Sequence, residues 1–273
     1  MLCGSVAASQ PTPIAPMPVA LAFEDTGSGA PLLLLHGLYG SSSNWRRIAK
    51  SLSDRHRVLS VDLRNHGASP WAATMTYAEM AADVAALIDR LGLERPAVLG
   101  HSMGGKVAMT LALTDASRVG RLIVVDIAPV SYGDRFSSYT QAMRGVDAVH
   151  ATSRDEIRRV LLQTIPEDRT VGFLMTNLVR QGEQYDWRIN LMALSTSMST
   201  IGAFPEELKG LHYDGPVTVI DGERSDYISV DDRPLFLAYF PKARFKTIAD
   251  AGHWLHADQP DAFVTAVREA LAT

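Results

Sequence analysis

This sequence predicts an α/β domain built on a buried, mostly parallel sheet, with a block of helices inserted into it. Three observations carry that expectation. Short β-branched or leucine-rich runs alternate with longer segments of helical period, the order expected when crossover helices join parallel strands. Most of these runs are apolar along their whole length, as strands buried on both faces are. One stretch of about eighty residues breaks the alternation and is far longer than an ordinary connection between strands.

In chain order the strand candidates are residues 19–24, 32–35, 58–62, 97–100, 122–125, 217–220 and 244–248. Residues 77–91 read as a helix, because Met80, Val84, Leu87, Ile88 and Leu91 recur at helical spacing and Gly92 supplies a stop. Residues 44–52, 103–113, 233–239 and 262–271 repeat that pattern as crossover or terminal helices. The interruption, residues 132–213, has helical patterning but no convincing strand. It begins after Asp126-Ile127-Ala128-Pro129 and ends before Asp214-Gly215-Pro216, both of which are turn chemistry. Residues 19–131 and 214–273 are therefore expected to form one core, with 132–213 as a helical cap. Residues 1–18 contain Pro11, Pro13, Pro16 and Pro18 and no Lys or Arg, which predicts a disordered leader.

Composition narrows the function classes. With 47% apolar and 21% charged residues, the chain matches soluble globular proteins and can bury a sizeable core. A net charge of -4 offers no cationic footprint for nucleic acid. No run approaches the ~20 apolar residues of a membrane span. The single cysteine, Cys3, excludes an internal disulfide and is compatible with a reducing, cytoplasmic setting. No His, Asp or Glu cluster has metal-ligand spacing, and the chemistry expected below needs no cofactor.

Gly100-His101-Ser102-Met103-Gly104 matches Gly-x-Ser-x-Gly, set directly between a strand candidate and a helix candidate. Small residues there permit a sharp turn that lifts a serine oxygen onto a helix N-terminus, so Ser102 is the expected nucleophile. Serine needs a base. Of eight histidines, His253 fits, because it follows the last strand candidate and so lies over the sheet edge where chemistry gathers in such folds. His256 competes as a packing residue one helical turn on. His101 is expected to pack beside the serine, and His36 and His66 to brace loops.

Two carboxylates compete to orient His253. In Asp221-Gly222-Glu223-Arg224-Ser225-Asp226, Ser225 stands where a Gly-x-x-Asp spacing would place the acid and Asp226 is one residue late. Asp126 ends the strand next to the nucleophile strand and is favoured, the bland alternatives being a hinge brace for Asp126 and a solvated loop charge for Asp226. The oxyanion formed in acyl transfer needs two donors, expected from the backbone N–H groups of Met103 and Leu38, with Gly37 allowing close approach.

Taken together, His36-Gly37-Leu38-Tyr39-Gly40 with Asn44-Trp45, Asp62-Leu63-Arg64-Asn65-His66-Gly67-Ala68-Ser69, the Ser102 string with Gly105-Lys106, Asp126-Ile127-Ala128-Pro129 and Gly252-His253-Trp254 resemble the α/β-hydrolase superfamily over residues 19–272. Within it they resemble the small esterases of the YbfF type. The resemblance implies an α/β-hydrolase fold, a Ser-Asp-His triad whose acid matches Asp126, and Ser225 at the usual acid position. It also implies that residues 185–191 form a cap signature facing the cleft, with Trp187 and Arg188 as substrate contacts; on their own, these two fit cap packing and a surface ion pair equally well. The expected reaction is hydrolysis of a small carboxylic ester or acyl-thioester through an acyl-enzyme on Ser102. Cofactor-free haloperoxidase or C–C bond hydrolase chemistry, and a low-turnover small-molecule receptor, remain as alternatives on the same fold. Phe136, Phe173, Leu178 and Met192 are the apolar cap residues from which a pocket wall would be drawn.

Overall fold

The structure is a computed structural model that describes residues 17–272; Cys3 and all but the last two residues of the expected leader lie outside the described residues. The chain runs β1 (Phe23–Thr26), β2 (Ala30–Leu35), α1 (Arg46–Leu52), β3 (His56–Val61), α2 (Tyr77–Arg90), β4 (Ala97–His101), α3 (Met103–Thr114) and β5 (Arg121–Val125). It continues through α4 (Ser137–Gly145), α5 (Arg154–Thr164), α6 (Asp168–Leu174), β6 (Leu178–Gln181), β7 (Gln184–Trp187) and α7 (Leu191–Gly202). β8 (Val217–Gly222), α8 (Arg233–Tyr239), β9 (Ala243–Ile248), α9 (Leu255–Asp258) and α10 (Pro260–Ala272) complete it.

Seven strands form one sheet in the order β1-β3-β2-β4-β5-β8-β9. Only β1 pairs antiparallel; the other neighbours are parallel. The central strands divide their side chains between two cores, as strand period demands. Leu33, Leu35, Val98, Val124 and Val219 join the core under α2, α3 and the inserted segment. Leu32, Leu34, Leu99, Ile123, Val125 and Ile220 join the core under α1 and α10. No described helix is long and apolar enough to cross a membrane.

Two expectations are corrected. The first strand is residues 23–26 rather than 19–24, because the backbone before it bonds to side chains: Val19 N–H donates to Asp83 (2.8 Å) and Ala22 N–H to Ser69 (2.9 Å). The segment between β5 and β8 contains a two-stranded antiparallel hairpin, β6–β7, as well as four helices. Its strands are four residues each, too short for a two-residue period to stand out. The two-residue turn Gly182-Glu183, with φ 64° at Gly182, was the available signal.

α2 begins where Thr76 and Glu79 cap each other reciprocally. It is anchored by Arg64, whose guanidinium lies 2.6 Å from Asp83 with both side chains buried. The loop that carries Arg64 also meets the inserted segment: Asn190, the N-cap of α7, donates through its N–H to the Asn65 carbonyl at 3.0 Å.

Candidate active site

β4 ends at His101 and α3 starts at Met103, which leaves Ser102 alone to make the turn, at φ 52° and ψ -120°. The flanking glycines are dictated by space. A β-carbon on Gly100 would lie 2.1 Å from the Gly104 carbonyl oxygen, and one on Gly104 would lie 2.5 Å from that of Leu35. The Ser102 N–H donates to the Val125 carbonyl (3.0 Å), and the Ser102 carbonyl accepts from Gly105 (2.8 Å). The serine is thereby fixed at the N-terminal end of α3, where the helix dipole favours a developing negative charge.

Asp126 closes β5 at φ 51° and is fully buried. His253 follows β9, and its Nδ1 lies 2.7 Å from Asp126 Oδ2. A buried carboxylate can only accept here, so Nδ1 carries the proton and Nε2 is the ring nitrogen left to take one. Ser225 Oγ donates to the same Asp126 Oδ2 (2.5 Å), and the Gly222 N–H to Oδ1 (3.2 Å). Asp226 is 76% exposed and paired with Arg135 at 3.2 Å; it does not meet His253. Tyr227 lies parallel to the imidazole, ring centroids 3.8 Å apart. Sequence patterning gave no sign of this stack, because it arises from the loop after β8 folding back over His253.

The remaining buried histidines are held by packing and hydrogen bonds. His36 Nδ1 donates to the Gly37 carbonyl (2.8 Å) while Nε2 accepts from Leu63 N–H (3.0 Å). His66 uses the Arg64 carbonyl (2.9 Å) and Tyr39 N–H (3.3 Å) in the same way, and burial pushes it down to about 3. His101 donates from Nε2 to the His253 carbonyl (2.8 Å), bracing that loop. His256 packs 4.8 Å from Trp45, and burial pushes it down to about 4.

Ser102 and His253 open into one cavity of about 190 Å³. The Gly37-Leu38 loop forms its side nearest the serine: a β-carbon on Gly37 would lie 3.2 Å from Ser102 Cβ. Leu38 lines the cavity, and Met103 begins the helix immediately after Ser102. Phe136, Tyr139, Thr170, Phe173 and Leu174 from the inserted segment also line it, with Trp254. Trp187 and Arg188 are not among the lining residues. Trp187 belongs to the apolar core, and the Arg188 carbonyl accepts from Trp71 Nε1 (3.3 Å). Leu178 is buried away from the cavity, and Met192 is 60% exposed.

Comparison with known proteins agrees with this architecture. A family profile described as alpha/beta hydrolase fold matches residues 30–260. The chain is 44% identical over 253 residues to the sn-1-specific diacylglycerol lipase ABHD11 of Danio rerio, covering 90% of this chain and 79% of that one. It is 36% identical over 245 residues to the esterase YbfF of Escherichia coli, covering 89% and 94%. A solved marine microorganism esterase superposes with a TM-score of 0.88 at 38% identity, covering 92% of this chain and 99% of its own. The chain belongs to the α/β-hydrolase family.

Proposed function

We propose that this ester hydrolase works through Ser102 as nucleophile, His253 as general base and Asp126 as the acid that orients it. The observation that carries the reading is the 2.7 Å contact of His253 Nδ1 with a fully buried Asp126, beside a cavity shared by His253 and Ser102. Ser102 Oγ attacks the ester carbonyl as His253 Nε2 takes its proton. The oxyanion forms between the N–H groups of Leu38 and Met103. His253 then protonates the departing alcohol, leaving an acyl-enzyme on Ser102. Water attacks that ester with His253 again accepting a proton; the bond to Ser102 Oγ then breaks, His253 returns the proton to that oxygen, and the free acid leaves.

Residues 132–213 act as a cap over Ser102, a role supported by the five cavity-lining residues it contributes. Its aromatic and aliphatic wall suits an apolar acyl chain, and an acyl-thioester would fit the same steps with a thiol leaving. Among the relatives, one is named a diacylglycerol lipase and another an esterase, which supports an acyl ester substrate. The reading places the reaction in the cytoplasm, with which one cysteine in the chain is compatible. Trp187 and Arg188 support the cap from within rather than touching the acyl group.

The test is a chain-length series of p-nitrophenyl esters and acyl-thioesters, run with the wild type and Ser102→Ala. Turnover with a defined chain-length optimum is expected, lost by a factor on the order of 10⁴ or more in the variant. A Ser102→Ala protein that retains the wild-type rate would contradict the reading.

A further inference from the structure

Lys106 lies one turn into α3, and its backbone N–H closes that turn on the Ser102 carbonyl at 3.2 Å. Its side chain is 1% exposed and reaches the place where the inserted segment joins the core. There Nζ donates to the carbonyls of Val130 (2.9 Å), Gly202 (3.1 Å) and Ala203 (2.7 Å), so each of its three N–H groups has an acceptor. Val130 belongs to the chain leaving the core; Gly202 and Ala203 belong to the chain returning at the end of α7. The Tyr132 ring, 4.9 Å from Nζ, and the Tyr77 ring, 5.7 Å away, add their π faces to the surround.

The two junctions also touch each other. Tyr132 N–H donates to the Gly202 carbonyl at 2.9 Å, and a β-carbon on Gly202 would come within 2.5 Å of the Gly133 carbonyl oxygen. Tyr77 Oη donates to the neighbouring Ile201 carbonyl at 2.6 Å. The carbonyls that end α7 are thus held by donors from the core, and a cation there also meets the negative end of the helix dipole. Keeping an ammonium in this position has a cost: burial pushes Lys106 down to about 7. An apolar side chain of similar length would avoid that cost but would take the Lys106 donor from the Val130 and Ala203 carbonyls and leave the Gly202 carbonyl to Tyr132 N–H alone.

We propose that Lys106 is a positioning residue for the substrate pocket, pinning both junctions of the inserted segment to the helix that starts at Ser102. It thereby fixes the separation between the serine and the wall carried by Phe136, Tyr139, Phe173 and Leu174. This rests on the reading of Ser102 as nucleophile and of residues 132–213 as a cap.

The experiment measures kcat and KM for p-nitrophenyl acetate, whose acyl group is too short to need the wall, and for p-nitrophenyl octanoate, which must lie along it. Wild type, Lys106→Met and Ser102→Ala are compared. Lys106→Met is expected to keep kcat/KM for the acetate within about threefold, and to lose tenfold or more for the octanoate, chiefly through KM. If that variant does not fold, Lys106→Gln serves for the same comparison. Parallel losses on both esters, an unchanged octanoate KM, or failure of both variants to fold would overturn the proposal by placing the lysine in the elbow or the fold alone. An active Ser102→Ala would instead remove the nucleophile on which the proposal rests, so the two failures are told apart.

Discussion

Ser102 and Asp126 share an uncommon backbone conformation, at φ 52° and φ 51°, each just past the end of a central strand. A non-glycine residue held there costs on the order of 1–3 kcal/mol, and such strain gathers at functional sites. The sequence located Ser102 because the neighbouring glycines leave a local signature. It could only favour Asp126 over Asp226, because the choice depends on which carboxylate the fold carries to His253, and that contact is non-local. The bridging Ser225 hydroxyl and the Tyr227 stack are of the same kind. Asp126→Asn is expected to lower kcat about 10⁴-fold by leaving His253 in the wrong tautomer. Asp226→Asn, whose carboxylate is solvated and paired with Arg135, is expected to stay within about twofold. Steady-state rates on one preferred ester check both, and a larger loss in Asp226→Asn would reverse the assignment.

At the scale of elements, the central strands were legible because burial on both faces makes them uniformly apolar. Leu32, Leu33, Leu34 and Leu35 are all fully buried. α2 was legible from periodicity and its Gly92 stop, and α8 from periodicity alone, its span Arg233 to Tyr239 matching the expected residues. The edge strand β9, Ala243–Ile248, was legible, but β1 was displaced by backbone that bonds to side chains before it, and β6–β7 has strands too short to register a pattern. The buried Arg64–Asp83 pair was also invisible, although it ties α2 to the loop whose Asn65 meets the inserted segment. Without the Asp83 charge, the Arg64 guanidinium keeps one buried carboxylate, Glu79 at 3.3 Å. Asp83→Asn is expected to lower unfolding stability by about 2–3 kcal/mol, below the cost of breaking a buried pair outright, read from urea denaturation. A change below about 1 kcal/mol would mean that Glu79 alone satisfies the guanidinium.

At the scale of the whole molecule, four histidines are buried in ways that depress their pKa values, all through desolvation first: His36, His66, His101 and His256. Unfolding exposes them and restores values near 6.5, so below that pH the unfolded chain takes up protons that the folded chain refuses. Their contribution to stability is complete above about pH 6.5. It falls as the pH drops toward 4 and 3, where His256 and His66 titrate in the fold, by up to ~1.4 kcal/mol per pH unit for each histidine. The urea midpoint is therefore expected to be lower at pH 5 than at pH 8, with the steepest loss below 6.5. Equal midpoints would contradict the buried neutral assignment. The same packing assembles the proposed active site: strand ends carry Ser102 and Asp126, His253 meets Asp126, and the inserted segment contributes lining to the cavity that Ser102 and His253 share.

The central claim is that an acyl group passes through Ser102. The direct measurement is acid quenching of the wild-type protein during turnover of a p-nitrophenyl ester, followed by mass spectrometry of the peptide containing Ser102. The expected result is one added acyl group on Ser102, absent from Ser102→Ala. An adduct on another residue, or undiminished turnover by Ser102→Ala, would contradict the claim.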